Sequence, residues 1–295
     1  MDRVNPGGMP DPPEPPTMPS VSLTAVGVAA IRAAESDRPD RLFDDPCAAG
    51  FVRASNFRPS TATAVAVSEE EAGRRRGLVN WVSVRTRFLD DVVLQACAGP
   101  CRQAVILGAG LDARAFRLPW PAGTSLWELD LAEVLAFKEL VVSAEDWVPR
   151  CERSTLAVDL AGDWDSALLD AGFDPAAPVV WLAEGLLAYL SADVNDALIA
   201  RAAALSAPRS RFGLTLAARD RWAAWRAAHP DGESSPRDYV ALWQSAAPED
   251  AAGWLHRLGW QAEVFDVVER SGAYGRPISG SDIRNGARLV DATRL

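Results

Sequence analysis

The chain has 295 residues, 48% of them hydrophobic, and carries 30 Lys and Arg against 40 Asp and Glu, a formal net charge of −10. That length allows one large or two small domains with a sizeable core. The acidic balance argues against a nucleic-acid partner, and no apolar run approaches the ~20 residues of a membrane span.

Residues 1–19 hold seven prolines and all three methionines. They read as a disordered tail, without the apolar segment of a secretory signal. A single domain is expected over 20–295. It opens with a helical cap, 20–100, in which Val21–Ser36 is helix-like and Asp40–Phe51 reads as a turn followed by a short helix. Glu69-Glu70-Glu71 ahead of Arg74-Arg75-Arg76 sets Glu70 with Arg74, and Glu71 with Arg75, at i,i+4 spacing. Such pairs mark a solvated helix face. Trp81, Val84, Phe88, Leu89 and Val92 then recur at helical spacing.

Strands and helices alternate from residue 101 onward. Strands are predicted at Gln103–Leu107, Thr124–Leu129, Ser154–Val158, Val179–Ala183, Ser210–Leu216, Gln261–Val267 and Ala287–Asp291, with helices at Ala132–Ser143, Trp164–Asp170 and Ala192–Leu205. The expected fold is α/β: a Rossmann-like, doubly wound, mostly parallel seven-stranded sheet with N-terminal helices. A cofactor-binding core covers 101–217 and the final strands 259–295. Between them, 218–258 reads as a helical insertion or lid after the fifth strand. Its Trp222, Trp225, Tyr239 and Trp243 suggest either an apolar acceptor site or packing onto the sheet.

The first strand runs into Gly108-Ala109-Gly110-Leu111-Asp112-Ala113-Arg114, and Asp130 follows Gly110 by twenty residues, at the next strand tip. Glycines let the backbone turn tightly against a ligand, and an acid at the neighbouring tip accepts from ribose hydroxyls. This predicts an adenosine-type cofactor. Gly108 to Ala113 also fits a dinucleotide fingerprint, which sets a pyrophosphate on a helix N-terminus. A carboxylate at Asp112 would repel that group but suit S-adenosylmethionine, whose sulfonium and ammonium are cationic. Asp112 equally suits a helix cap, worth about 1 kcal/mol.

Cys47, Cys97, Cys101 and Cys151 include no pair two residues apart. They read as reduced and structural in a cytoplasmic protein with no metal site.

With these features in place, the chain resembles a class I S-adenosylmethionine-dependent methyltransferase of the leucine carboxyl methyltransferase superfamily, in its bacterial polyketide-type O-methyltransferase branch. The resemblance runs from about Leu23 to Arg294. It is carried by Thr24–Glu35 with Arg38-Pro39-Asp40-Arg41-Leu42-Phe43-Asp44-Asp45-Pro46, by Val84–Asp90, and by Gly108–Arg114 with Phe116–Trp120. Asp159-Leu160, Glu184–Leu190 and Tyr274-Gly275-Arg276-Pro277 continue it. Cys47 stands where an aromatic is expected, and Ala113 where the branch often has Thr.

The resemblance implies cofactor contacts at Arg85, Gly108, Gly110, Asp130, Asp159, Leu160 and Glu184. Arg85 would hold the methionyl carboxylate and Asp130 the ribose. Asp159 would face the adenine amino group, and Leu160 would offer its N–H to the ring. Glu184 would face the cationic end. Asp159 also suits capping its own turn, and Arg85 a surface ion pair. Glu184 interrupts the apolar run Val179–Leu190, where a buried charge requires a partner.

A carboxylate acceptor is already ionised and requires no base, whereas a phenol or alcohol needs its proton removed. With only His229 and His256 present, the expected reaction is O-methylation of a small-molecule acid, apolar or aromatic, to its ester. Tyr189 and Arg276 are candidates to orient it. Three alternatives stay open: a hydroxyl acceptor, a nicotinamide-dependent oxidoreductase, and a non-catalytic cofactor-binding protein.

Overall fold

The computed structural model describes residues 20–55, 68–229, 239–278 and 286–295. The tail expected at 1–19 and the side chains of Glu70, Glu71, Arg74 and Tyr239 lie outside the described residues.

Strands β1 (Gln103–Leu107), β2 (Ser125–Asp130), β3 (Glu152–Ala157), β4 (Val179–Ala183), β5 (Arg211–Leu216), β6 (Trp260–Asp266) and β7 (Arg288–Arg294) form one seven-stranded sheet in the order β3-β2-β1-β4-β5-β7-β6. Every pair is parallel except those made by β7, which runs antiparallel to both β5 and β6. The order reverses between β1 and β4, so their carboxyl tips flank the crevice where ligands of such sheets bind.

Helices cover both faces, as the fully buried central strands β1 and β4 require. Ala104 and Ile106 of β1, with Val180 and Leu182 of β4, point toward α1 (Ser20–Ser36), α2 (Ala48–Ala54), α3 (Glu69–Ala98), α4 (Arg114–Arg117), α5 (Ala132–Ala144) and α10 (Val267–Ala273). Val105, Leu107, Val179, Trp181 and Ala183 point toward α6 (Trp164–Asp170), α7 (Ala192–Ala204) and α9 (Ala251–Arg257). The second core is aromatic: Trp181 lies edge-on to Trp164 at 6.0 Å between ring centroids, and Phe212 meets Trp260 at 5.3 Å.

The spaced apolar residues of the cap resolve into one 30-residue helix, α3, laid directly on the sheet. Its approach is close because Gly213 of β5 has no side chain. A Cβ there would stand 2.9 Å from Leu89 and 3.2 Å from Val92.

The expected insertion is corrected at its C-terminal end. Residues 219–229 and 239–250 do leave the sheet, as α8 (Arg219–Ala228) and a 3-10 turn at Tyr239–Leu242. α9, however, is the crossover helix into β6, with Trp254 and Leu255 buried in the second core. Asp250 caps it by accepting from the Gly253 N–H at 2.8 Å.

Candidate active site

The turn after β1 is held by two glycines in the left-handed region, Gly108 at φ +62° and Gly110 at φ +47°. A Cβ on Gly108 would stand 2.7 Å from the Leu186 side chain. The turns after β1 and β4 therefore touch, and only glycine fits between them. The Gly110 N–H donates to Asp130 Oδ2 at 2.6 Å, and the Leu131 N–H donates to Oδ1 at 2.7 Å. Asp130 thus stands half-buried against the glycine turn. Burial pushes its carboxyl up, only partly countered by these two N–H groups. One bond on each oxygen leaves lone pairs for ligand hydroxyls.

Residue alternation along β4 carries past its end. Val180, Leu182 and then Glu184 face the cap, where α3 supplies Arg85 and Thr86. Glu184 Oε1 accepts from Arg85 Nε at 3.0 Å and from the Thr86 hydroxyl at 3.2 Å. Its Oε2 accepts from Arg114 Nη2 at 2.8 Å. Burial alone would raise the Glu184 pKa, but the guanidiniums of Arg114 and Arg85 outweigh it and hold the carboxyl below its usual range. Arg85 uses only Nε here. Its Nη1 and Nη2 have no hydrogen-bond partner among the described residues, and the guanidinium lies against Gly185, 3.1 Å from where a Cβ would be. Two parallel donors in that fork match a carboxylate.

Arg114 is the residue the sequence reading missed. It is 1% exposed and pairs with three carboxylates: Glu184, Asp90 at 2.8 Å, and Asp112. Asp90 also takes Arg117 at 2.6 Å. The available signal was a charge set among Ala113, Ala115 and Phe116, which burial would oblige to find partners. Asp112 is corrected accordingly. Its Oδ1 accepts from the Arg114 N–H at 2.7 Å and its Oδ2 from the Arg114 guanidinium. The carboxylate closes its own turn and is neutralised there, so it does not present free negative charge to a ligand.

The remaining expected contacts are placed as follows. Asp159 is exposed after β3, and its Oδ1 accepts from the Ala161 N–H at 2.9 Å, closing its own turn. Leu160 is buried in the second core. Tyr189 ends a 3-10 turn, Leu187–Tyr189, that follows Glu184. It is half-buried, and its hydroxyl has no partner among the described residues. Arg276 does not face the crevice with free donors. It is 6% exposed, and its guanidinium donates to Glu35 at 2.8 Å, Asp40 Oδ2 at 3.1 Å and the Asp40 carbonyl at 2.6 Å. Its role is a tie between the C-terminal segment and the end of α1.

α1 passes over the glycine turn. Ala25 lies 3.6 Å from where a Gly110 Cβ would stand, and Arg32 donates to the Leu111 carbonyl while pairing with Asp45 at 2.8 Å. The described residues contain no group of three His, Cys, Asp or Glu able to hold a metal, and no helix long and apolar enough to cross a membrane.

A glycine cradle, an acid at the next tip, an arginine fork with open donors and a neutralised Glu184 suit a nucleoside carrying an amino-acid end. The sequence profile of leucine carboxyl methyltransferases matches residues 25–203, from α1 into α7. The chain belongs to the leucine carboxyl methyltransferase family. It is similar to proteins named as S-adenosyl-L-methionine-dependent methyltransferases. One from Frankia alni is 49% identical over 276 residues, covering 92% of this chain and 94% of its own. One from Streptomyces avermitilis is 46% identical over 284 residues, covering 95% and 92%. The crystal structure of a DUF574 family protein, also from Streptomyces avermitilis, shares the fold at TM-score 0.57 and 12% identity over 90% of this chain and 97% of its own.

As a leucine carboxyl methyltransferase family member, the chain uses S-adenosylmethionine, and the dinucleotide reading of the glycine turn gives way. The cofactor supplies an electrophilic methyl group on sulfonium. The residues described fit it: Asp130 beside the Gly108–Gly110 turn retains acceptors, and Arg85 retains donors.

Proposed function

We propose that this methyltransferase esterifies a carboxylate of a small-molecule acid of secondary metabolism whose remainder is apolar or aromatic. The observation that supports the reading is that no described carboxylate of the crevice stays free to act as a base once Asp130 and Asp159 are given to the cofactor. Asp90, Asp112 and Glu184 are each paired with guanidinium groups. His256 lies on α9, whose C-terminal end leads into the amino end of β6, away from the crevice. His229 ends α8, its Nδ1 at 3.0 Å from the Trp225 carbonyl and its ring stacked on that indole at 4.8 Å. An acceptor that arrives ionised needs none of these groups.

In this reading Arg85 holds the methionyl carboxylate of the cofactor, Asp130 its ribose, and Asp159 and Leu160 its adenine. Tyr189 orients the acceptor, whereas Arg276 is withdrawn from that role by its bonds to Glu35 and Asp40. Trp222, Trp225 and Trp243, half-buried in the excursion after β5, supply apolar surface for the acceptor. All four cysteines are free, and burial pushes the thiols up to about 11 or 12, in keeping with a cytoplasmic enzyme. A screen of aromatic and aliphatic acids with methyl-labelled cofactor tests the proposal. The expected product loses its label in mild alkali, as an ester does; a base-stable methyl ether overturns it.

A further inference from the structure

Leu186 touches the glycine turn, and the next residue, Leu187, lines a cavity on the other side of the same loop. The cavity opens at the tips of β4 and β5 and has a volume of about 80 Å³. Leu187, Ala188, Leu216, Ala247 and Trp254 give it apolar walls, and Ala192 stands exposed at its rim. Three polar side chains, Asn195, Asp196 and Ser245, interrupt this lining. Asn195, 5% exposed, donates from Nδ2 to the Leu187 carbonyl at 2.9 Å and to Ser245 Oγ at 3.0 Å. Exchanging the amide oxygen and nitrogen would set oxygen against that carbonyl, so the orientation is determined. The buried Oδ1 is left with no donor among the described residues. Neighbouring donors are engaged: Ser245 Oγ donates to the Leu187 carbonyl at 2.9 Å, and Trp254 Nε1 to Asp196 at 2.7 Å.

A recess with mainly apolar walls and one buried acceptor left without a donor suits a compact apolar group bearing one hydroxyl or N–H. We propose that this cavity receives the apolar end of the acceptor molecule and that Asn195 selects an end carrying a hydrogen-bond donor. The proposal rests on the small-molecule acceptor read above, not on which of its oxygens is methylated. A product that proves to be an ether therefore leaves this site in place.

Phenol and toluene serve as probes, differing only in the donor. Each is titrated by ligand-observed NMR into the full chain saturated with S-adenosylhomocysteine. Phenol binds about tenfold more tightly than toluene, as expected for satisfying a buried acceptor. Asn195→Leu removes that preference. Ala192→Trp, at an exposed rim position, abolishes binding of both probes while leaving S-adenosylhomocysteine affinity unchanged, which reports an intact fold. Equal binding of phenol and toluene to the parent protein, or phenol binding that survives Ala192→Trp, overturns the proposal. Should Asn195→Leu lose S-adenosylhomocysteine binding, those two measurements decide alone.

Discussion

Asp112 shows what a single carboxylate contributes once its charge is fully matched. Burial works against its ionised form, but Arg114, Lys138 and Arg32 more than offset this and bring its pKa from 3.8 down to about 2. A carboxyl depressed by folding stabilises the native state above its unfolded pKa. That contribution is lost as pH falls through the folded value. The expected window is therefore about pH 4 to 2, and the contribution about 2 kcal/mol. Denaturation of the parent and Asp112→Asn checks it: the variant is less stable at neutral pH, and the gap closes toward pH 2. A gap independent of pH would show that the charge contributes nothing. This residue was legible as a charge in a glycine turn, but not its partner. Asp90, Arg114 and Glu184 are far apart in sequence, and nothing in their spacing shows that they converge.

Elements were easier to read than the ties between them. The central strands announced themselves as short apolar runs, and β1 and β4 fall where those runs begin and end. α9 was absorbed into the insertion because seven residues are too few to display a clear helical period. The Tyr274–Pro277 signature was visible as a motif, but the partners of Arg276, a candidate for the acceptor, were not, because an arginine's address depends on where the chain folds back. Arg276 meets the buried Glu35 carboxylate, which also accepts from Ser83 at 3.1 Å and from the Leu42 N–H at 2.8 Å. Replacing Arg276 with Met leaves a buried carboxylate under-bonded, a cost of about 1–3 kcal/mol. Hydrogen exchange should then rise along α1 more than along β1 or β4. Unaltered exchange in α1, with a raised acceptor KM, would return Arg276 to the acceptor site.

At the scale of the whole molecule, the doubly wound architecture follows from alternation that the sequence displays openly, and the crevice from the reversal of strand order between β1 and β4. Because the crevice exists only in the folded chain, its ligand stabilises the fold. S-adenosylhomocysteine at one hundred times its Kd should add about 2.7 kcal/mol to unfolding, raising Tm by several degrees. NAD at the same concentration should leave Tm unmoved. Asp130→Ala should shrink the gain by about 1–3 kcal/mol, the worth of acceptors lost to ribose. A full gain in that variant would place the ribose elsewhere.

The reversed direction of β7 has a practical corollary. Its last residue, Arg294, donates through its N–H to the Ser210 carbonyl at the start of β5, and Leu295 to Gly259 at the start of β6. Leu295 therefore sits at the end of the sheet remote from the crevice, whereas α1 lies across the glycine turn. A fluorophore or resin linkage attached at Leu295 should leave ligand entry unobstructed. The same appendage at Ala25 of α1 would crowd the doorway.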